Sequence, residues 1–118
     1  MNAMIKRKRA HISGWGHVLP RRMWTSEQLE QEYGLPDGSL EAATGVKARF
    51  VANRREDETQ VMLGLAAART ALERADMGAE GIDLIIAASA VPQQLIPGTA
   101  PLYQRGLGLA DASCHVMD

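Results

Sequence analysis

Residues 59–90 read TQVMLGLAAARTALERADMGAEGIDLIIAASA, a periodic segment followed by a short continuous apolar run. In the first half, apolar residues recur at steps of four and three, which places them on one face of a helix. They are Val61, Leu65, Ala68, Leu72 and Ala75. We therefore predict an amphipathic helix from Thr59 to Ala75, with Asp57 or Thr59 as its N-cap.

The apolar run after a glycine-rich turn predicts a strand over Ile82–Ala90. Its centre, Leu84-Ile85-Ile86-Ala87-Ala88, has no polar alternation. Such runs are typical of central parallel strands covered on both faces. Helix and strand together favour an α/β fold in which right-handed crossovers place helices against a sheet.

Shorter elements are predicted around this pair from caps, breaks and apolar alternation. They are a strand over Ala10–Leu19, a helix over Glu27–Glu32 capped by Thr25 or Ser26, a helix over Gly38–Thr44 ended by Gly45, an edge strand over Val46–Ala52, a helix over Gly98–Gly106 and a strand over Ser113–Met117. Residues 1–118 are thus expected to form one α/β unit.

Composition narrows the function classes. The chain has 118 residues, 46% hydrophobic, with a net charge of -1, so no overall field favours nucleic acid or an anionic membrane. Its single cysteine excludes an internal disulfide and a multi-cysteine zinc site, and suits a reducing compartment. No apolar run reaches the length of a membrane span, so we expect a cytoplasmic protein without nucleic-acid or membrane partners. The basic run over residues 6–9 is interpreted as a solvated terminus rather than a phosphate-binding arm.

Motifs that could carry chemistry are few. Gly14 and Gly16 lie in a glycine-rich bend by which the predicted strand leaves, but Leu19 replaces the third glycine of a dinucleotide-binding loop and Pro20 follows it, so that interpretation is rejected. The three histidines are too scattered for a metal motif, so no metal or cofactor is expected. Cys114 and His115 are neighbours in a predicted strand and would point to opposite faces, so a small buried cysteine is favoured over a nucleophile.

The two tryptophans, Trp15 and Trp24, could stack on an adenine or a substrate. In a chain with so few aromatic residues, an anchoring role in a small core or an interface is the favoured interpretation.

Taken in order, several segments resemble the start of beta-ketoacyl-acyl carrier protein synthase III. The resemblance rests on residues 12–20 (ISGWGHVLP), 44–49 (TGVKAR), 82–89 (IDLIIAAS), 97–100 (PGTA) and 107–109 (LGL). It implies a partial thiolase-like fold, the N-terminal half of the first αβαβα repeat, with strands 3-2-1 of a mixed five-stranded sheet. It also implies a chain that ends before the catalytic cysteine, and therefore no catalytic residue among these 118.

For the parent enzyme, the resemblance implies decarboxylative Claisen condensation of an acyl thioester, on acyl carrier protein or coenzyme A, with a malonyl thioester. Ser39 and Ala43 stand where the best-known members have the Trp and Arg that clamp adenine, which leaves the acyl chain and its carrier open. Ile96 is the residue implied to close the acyl pocket of a dimer partner. The implied homodimer interface is the last predicted strand: Ser113, Cys114, His115, Val116 and Met117.

Two other interpretations compete with an inactive fragment of such an acyltransferase. One is a non-catalytic thiolase-like module that dimerises with or modulates a full-length partner. The other is an unrelated small α/β binding domain, which would show a different strand order and a pocket of its own.

Overall fold

The computed structural model describes residues 9–53, 55–109 and 113–117, the last of these by backbone only. Its elements, in chain order, are β1 (Arg22–Thr25), α1 (Ser26–Tyr33), α2 (Ser39–Thr44), β2 (Ala48–Val51), α3 (Gln60–Arg74), a 3-10 turn (Ala79–Gly81), β3 (Leu84–Ala88), α4 (Thr99–Leu107) and β4 (Ser113–Met117). The predicted α/β class is confirmed.

Helix α1 begins with a capping box at Thr25, one of its two predicted caps. The Thr25 hydroxyl accepts from the Gln28 N–H at 3.1 Å, and the Gln28 side chain accepts from the Thr25 N–H at 2.9 Å. Each bond satisfies an amide that has no partner within the helix. Gly34, at a φ of 64°, ends the helix.

Helix α2 confirms the second short predicted helix, and Gly45 ends it at a φ of 69°. Its N-cap, Gly38, has no side chain to offer. Instead, the carboxylate of Glu30 on α1 accepts from the N–H groups of Gly38 at 2.8 Å and Leu40 at 2.7 Å. Glu30 is only 2% exposed, so a buried acidic side chain fastens α2 to α1.

Strands β1 and β2 pair antiparallel, from Arg22 opposite Val51 to Thr25 opposite Ala48. The predicted edge strand over Val46–Ala52 is confirmed as β2. Strand β1 was not predicted, because it has only four residues and the last of them, Thr25, is the N-cap of α1.

Helix α3 confirms the strongest prediction, with Thr59 as N-cap and Ala75 as C-cap. Strand β3 pairs with β4 in parallel, Leu84 opposite Ser113 and Ala88 opposite Met117, and α4 packs against both strands. The pairing predicted between the second and third strands of the implied sheet is therefore present.

The prediction that β3 is covered on both faces is wrong for the described residues. Ala87 is buried, whereas Leu84 and Ile86 on the other face are 49% and 56% exposed. The apolar run correctly indicates a strand suited to two-sided burial, but the described helices cover one side only.

The predicted strand over Ala10–Leu19 is also wrong, since residues 9–20 join no sheet. Gly14 and Gly16 lie against the backbone of α3, where a Cβ on either would overlap a carbonyl oxygen of Ala71 or Ala67. Because Gly14 and Gly16 have no side chain, the segment can approach α3 this closely, and neither glycine takes part in strand pairing. The described strands form two separate two-stranded sheets. Of the implied order 3-2-1, only the pairing of strands 3 and 2, here β4 and β3, is observed.

Candidate functional site

The most exposed apolar side chains of the described residues include three in the connection from β3 to α4, residues 89–98, called here the apolar loop. Val91 is 69%, Leu95 88% and Ile96 90% exposed. A cluster of large aliphatic side chains held in water is unusual for a free surface and marks a segment suited to a contact.

The apolar loop is fastened to the N-terminus of α3. The Gln60 amide donates to the Ser89 hydroxyl at 2.8 Å, and the Val61 N–H donates to the Gln93 side-chain oxygen at 3.0 Å. At the other end, Thr99 and Ala100 are 2% and 0% exposed. Both ends of the apolar loop are therefore fixed. Its tip, residues 94–97, is not covered by any described residue.

The tip has its own internal support. The Gln94 amide lies 3.3 Å from the carbonyl oxygens of both Ile96 and Pro97 and donates to them. Nothing in the tip can transfer a proton or attack a carbonyl. It can fill an apolar cavity of another molecule.

A groove of about 700 Å³ lies between α3 and β3. Small residues of α3, including Gly64, Ala67 and Ala71, form one wall, and the strand forms the other. Tyr103 also lines it and donates from its phenol to the Gln60 carbonyl at 3.4 Å. Burial raises the pKa of the Tyr103 phenol, so it stays neutral and is no base here.

The most connected polar cluster joins residue 21 to the turn before α3. The Glu58 carboxylate, 4% exposed, accepts from the N–H of Asn53 at 2.9 Å and from the N–H and guanidinium of Arg21, both at 2.8 Å. These hydrogen bonds, the two backbone donors first, hold the pKa of Glu58 below its ordinary value. Because the carboxylate of Glu58 is occupied by donors from Arg21 and Asn53, we interpret the cluster as a structural one.

This cluster predicts a pH dependence of stability. A carboxylate whose pKa is lowered by folding stabilises the protein above its unfolded-state pKa, and this stabilisation is lost as the pH falls through the folded-state value. The free energy of unfolding should therefore decrease as the pH falls below about 5, and less steeply in Glu58→Gln. Urea unfolding at a series of pH values measures this dependence of the free energy of unfolding on pH. Glu56→Gln, which removes a single exposed contact to Arg21, is the control, and equal slopes in all three proteins would contradict the assignment.

The two tryptophans have cationic neighbours rather than a shared core. Trp15 is 62% exposed, stacks on His17 at 5.7 Å and lies under the Arg74 guanidinium at 4.6 Å. Trp24 is half-buried on β1, with the Arg22 guanidinium 4.9 Å from its ring centre. Of the two predicted anchoring roles for Trp15, the core is not observed, because its segment lies on the surface of α3, and an interface stays a prediction.

Within the part of the chain that the structure describes, no group of three or more His, Cys, Asp or Glu side chains could hold a metal ion. No helix in that part is both long and apolar enough to span a bilayer.

Comparison with known proteins shows which proteins part of this chain resembles. No protein-family model matches the sequence. The chain is 39% identical over 109 residues to beta-ketoacyl-[acyl-carrier-protein] synthase III of Rhizobium meliloti (strain 1021), a match that covers 92% of this chain and 33% of that protein. The chain is homologous to part of beta-ketoacyl-[acyl-carrier-protein] synthase III. The predicted resemblance is therefore confirmed, and the chain spans about a third of the length of the relatives it matches.

Solved structures agree with this homology to synthase III. The enzyme from Aquifex aeolicus VF5 superposes with a TM-score of 0.74 at 33% identity, over 90% of this chain and 33% of that one. Xanthomonas campestris OleA H285N with cerulenin also gives 0.74, at 26% identity, over 90% and 34%. The partial thiolase-like fold is thus confirmed at the level of its overall architecture.

The residues singled out through the synthase III resemblance lie in three separate places. Ile96 is at the tip of the apolar loop. Ser39 is half-buried and Ala43 exposed on α2, so neither supplies an aromatic ring or a cation there. Ser113–Met117 form β4, which pairs with β3 along one edge, while no described strand occupies its other edge. The side chains of β4, including Cys114 and His115, lie outside the described part.

Residues that the sequence analysis missed are those that support the site. Gln93, Gln94 and Glu58 each make contacts that no motif or periodicity predicts. Gln93 and Glu58 bond to residues at other points of the chain, so only the folded structure reveals them.

Proposed function

We propose that this chain is part of a synthase III-type acyltransferase that performs decarboxylative Claisen condensation of an acyl thioester with a malonyl thioester, in fatty acid or related biosynthesis. The observation that carries the proposal is 39% identity over 92% of the chain to a synthase III. The superposition on another synthase III with a TM-score of 0.74 supports it.

In this reaction a cysteine thiolate attacks the acyl thioester, forms an acyl-cysteine and releases the carrier thiol. Loss of CO2 from the malonyl thioester leaves a carbanion, which attacks the acyl-cysteine carbonyl and expels the thiolate. We assign the nucleophile and its partners to chain outside these 118 residues, so that this segment alone is inactive. Its only cysteine, Cys114, lies within β4 rather than at a helix N-terminus, where a thiolate would be stabilised.

The proposed contribution of this segment is a scaffold and a dimer contact. Ser113–Met117 would pair with the same strand of a second copy, and Ile96 would reach across to close that copy's acyl pocket. The edge of β4 that no described strand occupies and the 90% exposure of Ile96 support this arrangement. A chain that stays monomeric in sedimentation experiments would contradict it.

The acyl donor is proposed to be carried by acyl carrier protein or coenzyme A in the cytoplasm. Ser39 and Ala43 provide no stacking ring and no guanidinium for adenine, so recognition of the carrier must use other groups. The length of the acyl chain is left open.

A second candidate function is a non-catalytic module that dimerises with or modulates a full-length synthase. The exposed apolar face of β3, with Leu84 and Ile86, favours it, because such a face would be covered in a complex.

A hybrid enzyme tests the catalytic proposal. The 109 matching residues of the Rhizobium meliloti synthase III are replaced by the corresponding residues of this chain, and condensation of acyl thioesters with malonyl-acyl carrier protein is followed by mass spectrometry. We expect condensation by the hybrid and none by the 118-residue chain alone. A hybrid that folds and dimerises but forms no product would favour the non-catalytic module.

A further inference from the structure

Two adjacent glutamines of the apolar loop make different contacts. Among the described residues, Gln94 bonds within the tip, to the carbonyl oxygens of Ile96 and Pro97. Gln93 reaches outside the loop to the Val61 N–H of α3, 32 positions away in sequence. Gln94 therefore shapes the tip, while Gln93 ties the loop to the body of the protein.

The contact of Gln93 completes the N-terminus of α3. The first N–H groups of a helix lack partners within it. The Thr59 hydroxyl accepts from Met62 at 3.2 Å, and Gln93 accepts from Val61 at 3.0 Å. Two of the free donors are thus satisfied, one by the helix's own cap and one by the apolar loop.

A second contact stands beside this one. The Gln60 amide donates to the Ser89 hydroxyl, which in turn donates to the Val91 carbonyl at 2.9 Å. The first turn of α3 therefore holds both Ser89 and Gln93, three residues before the exposed Ile96. Side-chain bonds to a helix end orient a connection that has no regular structure of its own.

We propose that Gln93 is a positioning residue, which acts through its bond to the α3 N-terminus to hold Ile96 at a fixed distance from the helix. This rests on the proposed function, in which Ile96 closes the acyl pocket of a second copy. A tip held in advance of binding loses less conformational freedom when it enters that pocket. Gln93 would therefore help to set how deeply Ile96 enters, and with it the length of acyl chain admitted.

The chemistry of the contact provides a matched pair of variants. Toward the described residues, Gln93 uses its side-chain oxygen, as an acceptor. Gln93→Glu keeps an acceptor, and its negative charge is favoured at a helix N-terminus. Gln93→Met keeps the length of the side chain but has no comparable acceptor. Gln31→Met, on the exposed surface of α1, is the control for a glutamine without this role.

Spin labels measure the position of the tip. Labels are attached at Ile96→Cys on the tip and Glu73→Cys on the exposed side of α3, in a Cys114→Ser background. Labelled chain is diluted with unlabelled chain, so that pulsed electron spin resonance reports distances within one molecule. We expect one narrow distance distribution in the parent protein, in Gln93→Glu and in Gln31→Met, and loss of that narrow peak in Gln93→Met.

An unchanged peak in Gln93→Met, or a broad one in Gln93→Glu, would overturn the proposal. Loss of helical circular dichroism in Gln93→Met would also overturn it, because Gln93 would then support the whole fold rather than the loop. The measurement needs no condensation activity. Failure of the proposed function would appear in the hybrid assay alone, while failure of the positioning role would appear in the distances.

Discussion

Gly16→Ala is expected to lower the free energy of unfolding by about 3 kcal/mol, the upper part of the range for overpacking a tight contact. A Cβ at Gly16 would overlap the Ala67 carbonyl oxygen and lie 2.9 Å from the Ala71 nitrogen. Both are backbone atoms of α3, so neither can rotate away. The segment before Pro20 would have to leave the helix, and urea unfolding should show an earlier midpoint.

Gly81→Ala is the matched control for this substitution. Its nearest neighbours are the Met77 Cγ at 3.2 Å and Sδ at 3.4 Å, the end of a flexible side chain on the surface. We expect a change of less than about 1 kcal/mol there. If Gly16→Ala were as stable as Gly81→Ala, the close packing of residues 14–16 on α3 would be incorrect.

Glu30→Ala is the second substitution with a large expected effect, a loss of about 3 kcal/mol in the free energy of unfolding. The buried carboxylate accepts two backbone N–H bonds, at 2.8 Å from Gly38 and 2.7 Å from Leu40. Alanine would leave both donors without their partner and α2 without its cap. Glu30→Gln should lose roughly half as much, because its amide oxygen can still accept one of the two bonds.

Glu32→Ala is the control, since Glu32 is an exposed residue of the same helix. Its expected effect is within about 0.5 kcal/mol. Thermal and urea unfolding of Glu30→Ala, Glu30→Gln and Glu32→Ala measure these three losses of stability. Equal stability of Glu30→Ala and Glu32→Ala would show that Glu30 is not the cap of α2.

The sequence was most informative where structure depends on near neighbours. The caps at Thr25 and Thr59 were each one of two predicted candidates, and the end of α2 at Gly45 was predicted, because each involves residues within four positions of one another. The long helix α3 followed from apolar spacing alone. Strand β1 was missed because four residues that end at the Thr25 cap carry no detectable alternation.

Longer-range features could be predicted only in part. The apolar run of β3 correctly indicated a strand, but it could not tell whether both faces would be covered by the described residues. The segment over residues 10–19 has the composition of a strand, yet Gly14 and Gly16 place it against α3 instead. Local pattern does not specify which partner an extended segment will have.

The candidate site was predictable through resemblance rather than through physical chemistry. Ile96 was identified from its place in a family motif, and its exposure in the structure is consistent with a contact role. Gln93 has no such signal. Its function depends on the distance to Val61, a residue 32 positions earlier, which a sequence does not display.

Turnover of the hybrid synthase tests the central claim most directly, because it asks whether this chain can serve as a working part of a condensing enzyme. We predict decarboxylative condensation at a rate within about tenfold of the parent synthase, a difference of about 1.4 kcal/mol in activation free energy. A folded, dimeric hybrid that neither releases CO2 from malonyl thioester nor forms a condensed product would contradict the account.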